Sequence, residues 1–188
     1  SIGGRSWSLL KEFALRDHQI IVIRSDSNAS LDLNKIQSTP KDIFVEKMRI
    51  ITLRTIKYQI AKSFKRVLSW FHFEWNLICL KKKKLPNPDI IIVSSPSILT
   101  ILNGIILKKK FECKLVFEVR DIWPLTLVED GKFSWNNPLI KFLALIERFG
   151  YKFSDLIVGT MPKLDVHVKK VMGYSKSVKC IPMGFDPD

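Results

Sequence analysis

The chain has 188 residues, 46% of them hydrophobic, with only 8 Gly and 9 Pro, which supports one α/β domain with a sizeable core and excludes a disordered chain. Its 31 Lys and Arg outweigh 18 Asp and Glu, a formal net charge of +13, so the surface is drawn to nucleic acid, anionic lipid headgroups or phosphorylated ligands without choosing among them. Cys79, Cys113 and Cys180 lie far apart with no C-x-x-C pair, which argues against a zinc site or a disulfide scaffold and fits a reducing, cytosolic compartment.

The opening Ser1-Ile2-Gly3-Gly4-Arg5 has no apolar run behind its charge and does not read as a signal peptide. Arg5 to Arg16 reads as an amphipathic helix with Trp7, Leu10 and Ala14 on one face, and Gln19 to Arg24 as a buried strand. Ser25 to Pro40, rich in Ser, Asn and Asp, is expected to be a loop. Val45 to Leu53 is expected to hold a short strand. From Leu53, the residues Ile56, Ile60, Phe64, Val67, Phe71, Trp75 and Ile78 recur at helical steps with Arg54, Lys62, Lys65 and Arg66 opposite, which predicts a long basic amphipathic helix.

After the run Lys81 to Lys84, Asp89 to Ser94 predicts a strand whose consecutive isoleucines suit a sheet covered on both faces. A helix follows Pro96. The uncharged stretch Ile90 to Leu107 is long enough to cross a bilayer as one helix, but Ser94-Ser95-Pro96-Ser97 divides it into strand, turn and helix. Lys114 to Arg120 is the next strand. Asn137-Pro138 supplies a cap and a first-turn proline for a helix from Leu139 to Phe153. Asp155 to Gly159 returns to strand, a helix from Pro162 stops at Gly173, and Ser177 to Ile181 is the last strand. Strands alternating with helices call for an α/β fold, a doubly wound Rossmann-like parallel sheet with helices on both faces. Ligands of such sheets bind beyond the carboxyl ends of the strands.

The segments at those ends, in order, resemble the amino-terminal domain of family 4 glycosyltransferases of the GT-B class, especially those of bacterial capsule and O-antigen assembly. Gly3-Gly4-Arg5 opening a helix that runs to Leu15-Arg16-Asp17-His18 is similar to the family's glycine-rich start and Gly-His-x-Val step, with Asp17 where glycine is usual. Pro88-Asp89-Ile90-Ile91-Ile92 leading to Ser94-Ser95-Pro96 resembles the family's Pro-Asp strand and Ser-Pro loop. The most specific segment is Phe117-Glu118-Val119-Arg120-Asp121-Ile122-Trp123-Pro124, similar to a Glu-x-Arg-Asp-x-Trp-Pro pattern of one branch. Tyr151 to Val158 resembles the family's Ala-Asp-x-Ile-Val strand entry. Ile181-Pro182-Met183-Gly184-Phe185-Asp186 resembles its Ile-Pro-Asn-Gly-Val-Asp exit, with Met183 in place of asparagine.

The resemblance implies a retaining glycosyltransferase of cell-surface polysaccharide synthesis. Residues 1–181 would be its acceptor-side domain without the family's first strand, and 182–188 the start of a linker to a donor domain that holds the family's paired glutamates. The fragment alone is then expected to be inactive. The implied donor is a nucleotide sugar, with no further cofactor and no metal, and the implied acceptor a polyprenyl-diphosphate-linked glycan. The implied location is cytoplasmic, peripheral on the inner face of the membrane.

Gly3 and Gly4 could offer backbone N–H groups to a phosphate at a helix start, or form only a turn and cap. Asp121 is the first candidate to contact the acceptor hydroxyl, as a base, with Arg120 beside it to keep it ionised; the alternative is an ion pair that fixes the Trp-Pro loop. Arg120 is a candidate phosphate ligand, Ser95 joins it from the Ser-Pro loop, and Glu118 braces the loop. Trp123 either stacks on a sugar or lipid or belongs to the core. His18, His72 and His167 lack partners at metal-ligand spacing, and Asp186-Pro187-Asp188 is assigned no metal. Trp70 to Trp75 beside Lys81 to Lys84 suits an anionic membrane surface, or else ordinary helix packing beside a solvated lysine run. A basic nucleic-acid-binding protein is the competing class, but no helix-turn-helix, zinc-finger or RNP-like pattern occurs and no nucleic acid is expected. A different nucleotide-binding α/β protein lacks its G-x-G-x-x-G or G-x-x-x-x-G-K loop.

Overall fold

The computed structural model describes residues 5–27, 42–45, 47–58, 64–80, 85–95, 97–129, 131 and 133–182. The chain divides into two compact units, the first running to Leu80 and the second covering Lys81–Met183. Each has its own sheet, so the class is α/β, with parallel strands flanked by helices in a Rossmann-like arrangement.

The first unit contains α1 (Arg5–Leu15), β1 (Ile20–Ser25), β2 (Asp42–Val45), β3 (Met48–Leu53) and α2 (Phe64–Cys79). The turn from α1 to β1 needs a left-handed residue, and Asp17 takes it at φ 64°; Asp tolerates this conformation better than most side chains. Its carboxylate also pairs with Lys47. β1 runs parallel to β3, while β2 runs antiparallel to it. The short strand expected over Val45 to Leu53 is therefore part of a hairpin that begins at Asp42.

The helix expected from Leu53 starts later. Leu53 still pairs with Ser25 in the β1–β3 ladder, and residues 54–58 are irregular. Side chains hold them there: the Thr55 N–H donates to Asp26 Oδ1 at 2.8 Å, Thr55 Oγ1 lies 2.6 Å from Ser25 Oγ, and Lys57 pairs with Asp26 at 2.6 Å. These bonds reach back about thirty positions and tie the segment to the end of β1 and the turn after it, so tertiary contacts override its helical spacing. α2 also carries its apolar stripe outward. Phe71, Trp75 and Ile78 are exposed, whereas Ser69, Glu74 and Leu77 are buried. The lysine run at 81–84 lies outside the described residues.

The second unit is a βα succession: β4 (Ile90–Ser94), α3 (Thr100–Phe111), β5 (Lys114–Val119), α4 (Leu125–Glu129), α5 (Pro138–Phe153), β6 (Leu156–Gly159), α6 (Leu164–Met172) and β7 (Val178–Cys180). All four strands are parallel, in the order β4-β5-β6-β7. The uncharged stretch Ile90 to Leu107 is strand, turn and helix as expected, and among the described residues no helix is long and apolar enough to cross a membrane.

Alternate strand residues Val93, Leu115, Phe117, Val119 and Ile157 form one core with Ile98 and Ile101, Leu143, Ile146 and Tyr151 of α5, and Leu164, Val168 and Met172 of α6. The isoleucine run does not mean burial on both sides. Ile90 and Ile92 point away from this core and are 56% and 51% exposed.

Local signals set the element ends. Asn137 Oδ1 accepts from the Leu139 N–H at 2.9 Å to cap α5, with Pro138 in its first turn. Gly173 closes α6 at φ 80° and donates its N–H to Lys169 O. Asp155 clamps the amino ends of β5 and β6: its carboxylate accepts from the Leu115 N–H at 2.8 Å and pairs with Lys108 at 2.7 Å, and its own N–H donates to Leu115 O at 2.9 Å. Between α5 and α6, buried Glu147 accepts from Tyr151 Oη at 3.0 Å and lies 2.7 Å from His167 Nε2. This accounts for His167 as a packing residue. Burial and the Glu147 charge push the Tyr151 hydroxyl pKa far above its usual value.

Two outcomes are expected. A Cβ at Gly150 would lie 2.9 Å from Phe117 Cε1 and 3.1 Å from Ile101 Cγ1. Gly150→Ala should therefore lose about 1–3 kcal/mol to overpacking, more than the ~1 kcal/mol that alanine adds to a helix, and lower the urea midpoint. For Asp155, burial raises the pKa, but the bonds from Lys108 and Leu115 and the charges of Lys108 and Lys114 outweigh it and hold the carboxyl below its ordinary value. Its contribution is in full force above that value and is lost as pH falls through the folded pKa. Asp155→Asn should cost about 1–2 kcal/mol at neutral pH, and urea titrations near pH 3 should show a smaller difference from the wild type.

Candidate functional site

Parallel strands joined by crossover helices bring all their carboxyl ends to one edge of the sheet. In the second unit that edge carries the loop after β4, with Ser95 and Ser97, and the loop after β5, with Arg120 to Pro124.

The two loops are tied directly. Ser94 pairs with Glu118 in the β4–β5 register, and one step further the Ser95 N–H donates to Glu118 O at 3.1 Å. Ser95 Oγ, 1% exposed, then accepts from the Arg120 N–H at 3.1 Å. A serine side chain thus replaces the next rung of the backbone ladder as β5 leaves the sheet. Ser97 begins the turn into α3: its Oγ accepts from the Leu99 N–H at 3.3 Å. Ser94 Oγ is buried without a hydrogen-bond partner among the described residues.

Beyond Arg120 the chain turns sharply. The Trp123 N–H donates to Asp121 O at 3.2 Å, the Trp123–Pro124 peptide is cis, and the Thr126 N–H and Oγ1 both donate to Ile122 O, at 2.9 and 3.0 Å. Ile122 and Trp123 pack against the core of the second unit, and Pro124 is buried. Trp123 accordingly sits as a core-edge residue. Between the Ser95 bond and these apolar residues, Arg120 and Asp121 are left exposed.

Ser95, Glu118, Arg120 and Asp121 therefore come together at one sheet edge. The ion pair weighed as the alternative role for Asp121 does not form: among the described residues no salt bridge joins Arg120 to Asp121. Their backbone is held by Ser95 and by the Ile122–Trp123 contacts, so both charged groups are available to a ligand. Glu118 is 7% exposed at the end of β5. Gly3 and Gly4, like Pro96 and Asp186-Pro187-Asp188, lie outside the described residues. Among the described residues no group of three or more His, Cys, Asp and Glu side chains could hold a metal ion. Sequence reasoning did not foresee the short α4 or the Ser95–Arg120 bond; the latter needs the strand order, which no local pattern contains.

Chemically, the edge offers a guanidinium that can take phosphate oxygens through parallel N–H bonds and a neighbouring carboxylate that can accept a hydroxyl proton. Ser95→Ala should leave the Arg120 N–H without its buried partner at a cost of about 1–3 kcal/mol. A lower urea midpoint and faster hydrogen exchange at the Arg120 amide would both be seen. No protein-family model matches the chain, and no curated protein matches it.

Proposed function

We propose that the chain is the acceptor-side part of a glycosyltransferase that moves a sugar from a nucleotide sugar to a polyprenyl-diphosphate-linked glycan, working in the cytoplasm at the inner face of a bacterial membrane. The observation that carries the reading is the pair Arg120–Asp121, exposed side by side on a braced loop at the carboxyl end of β5. The resemblance of Glu118-Val119-Arg120-Asp121-Ile122-Trp123-Pro124 to the Glu-x-Arg-Asp-x-Trp-Pro segment supports it.

In this reading Arg120 binds a phosphate of the lipid diphosphate. Asp121 accepts a hydrogen bond from the acceptor hydroxyl and takes its proton as the oxygen bonds to the sugar's anomeric carbon. The bond from that carbon to the nucleoside diphosphate breaks, and the diphosphate leaves with the electron pair. Glu118 and Ser95 are positioning residues, acting through the loop backbone. The nucleotide sugar is a substrate, and most of its contacts belong to the donor-side domain of the proposed enzyme.

The test is transfer from a panel of nucleotide sugars to a short-chain polyprenyl-diphosphate-linked acceptor in detergent, using the complete reading frame. Asp121→Asn should lower kcat by roughly 10²–10⁴-fold. Arg120→Gln should raise the acceptor KM by about tenfold, the loss of one charge-assisted contact, while leaving the KM for the nucleotide sugar unchanged. Transfer indifferent to both substitutions would overturn the reading. Salt-sensitive binding to any DNA duplex, with no response to the lipid diphosphate, would replace it with nucleic-acid binding.

A further inference from the structure

We infer that the outward face of α5 is a docking surface for an anionic lipid bilayer. α5 spends Ile140, Leu143 and Ile146 on the core, which is enough to seat a crossover helix on its sheet. The rest of its surface should then be polar, as on most surface helices. Instead Leu139, Phe142, Leu145 and Phe149, at three- and four-residue steps, are 49%, 50%, 48% and 38% exposed.

The other exposed residues of α5 beyond Pro138 are Lys141, Arg148 and Lys152. Every exposed position of the helix is therefore apolar or basic. Its one acid, Glu147, is buried with Tyr151 and His167. At 3.6 residues per turn the three cations fall on one side of the helix, along one border of the apolar stripe. The border continues at the end of the helix: Phe149 and Phe153 lie 6.2 Å apart, and the Lys152 and Lys109 ammonium groups stand 5.6 and 5.7 Å from the Phe153 ring. α3, which packs on α5, adds exposed Ile106 beside Lys109 and Lys110.

A stripe of exposed Leu and Phe edged by cations, on a helix that exposes no carboxylate of its own, is complementary to one chemistry. Apolar side chains enter the boundary between headgroups and acyl chains, and Lys and Arg lay their stems along it to reach lipid phosphates. Nucleic acid would use the cations and leave the stripe in water. From Leu139 to Phe149 the stripe is about 15 Å long, so the helix lies on the bilayer and does not cross it. The inference goes beyond the proposed transfer reaction and rests on different residues.

The measurement is co-sedimentation of the protein with vesicles of phosphatidylcholine alone and of phosphatidylcholine mixed with phosphatidylserine. Binding to the mixed vesicles should be at least about tenfold tighter and should weaken with salt. Phe142→Ser combined with Phe149→Ser, and separately Lys141→Gln with Arg148→Gln and Lys152→Gln, should each weaken it by about tenfold or more. All five positions are exposed, and unchanged circular dichroism and urea midpoints would confirm that both variants fold. Absence of binding to the mixed vesicles would overturn the inference, as would binding that survives the Phe substitutions. So would a self-association that those substitutions abolish, which would make the stripe a contact between copies. Acceptor binding in detergent should be the same in the Phe variant and the wild type, so failure here is distinguishable from failure of the transfer reading.

Discussion

Parallel pairing of β4, β5, β6 and β7 is the constraint from which the second unit follows. A parallel pair cannot be closed by a tight turn, so each strand must be followed by a segment that returns to the other end of the sheet. α3, α5 and α6 are those returns, and their apolar sides meet Val93, Leu115, Phe117, Val119 and Ile157 in one core. The Asp155 clamp at the amino ends of β5 and β6 and the Ser95 bond at the carboxyl ends of β4 and β5 do complementary work. One fixes where the strands start, and the other lets β5 leave the ladder without stranding a backbone N–H.

That second bond keeps the loop after β5 from being loose. Ser95 Oγ holds Arg120 by its backbone, and Ile122 and Trp123 hold the far side by packing. Neither contact uses the charged ends of Arg120 or Asp121. A loop fixed by its own ion pair would have to break that pair to bind a ligand. Here the loop is positioned by atoms other than those charged ends, so in the proposed reaction they would need no rearrangement before meeting a phosphate or a hydroxyl.

Much of the second unit is legible in the sequence because its signals are local. Asn137-Pro138 marks the start of α5 and Gly173 the end of α6 through backbone requirements that involve only nearby residues. The first unit is harder to read. The repeat from Leu53 through Ile56 and Ile60 has helical spacing, yet Leu53 is taken by β3 and Thr55 by side-chain bonds to β1 and its following turn, contacts that span about thirty positions along the chain. Periodicity also reports that a helix has an apolar side without saying which side is covered. It is silent about Phe71 and Trp75 facing solvent on α2, and about Ile92 doing so on β4. At the candidate site, Arg120 and Asp121 are legible as a charged pair at a strand end. Their independence from one another is not, since neighbours in sequence invite an ion pair that is not made here.

The outward stripe of α5 adds nothing to the core already formed by Ile140, Leu143 and Ile146, and exposed contiguous apolar surface carries a risk of aggregation. Its position gives it a use. A crossover helix between parallel strands runs opposite to them, so α5 begins at the sheet edge that bears Arg120 and Asp121 and ends at the edge held by Asp155. A bilayer lying along Leu139 to Phe149 would therefore meet the amino-terminal end of the stripe on the side of the molecule where a lipid-borne diphosphate is proposed to bind. The basic border along Lys141, Arg148 and Lys152 would hold that surface by headgroup charge, while the stripe sets its depth. Binding of the lipid surface and binding of the lipid-linked head group would then draw on separate residues of the same unit. A soluble acceptor analogue would engage the second set without the first.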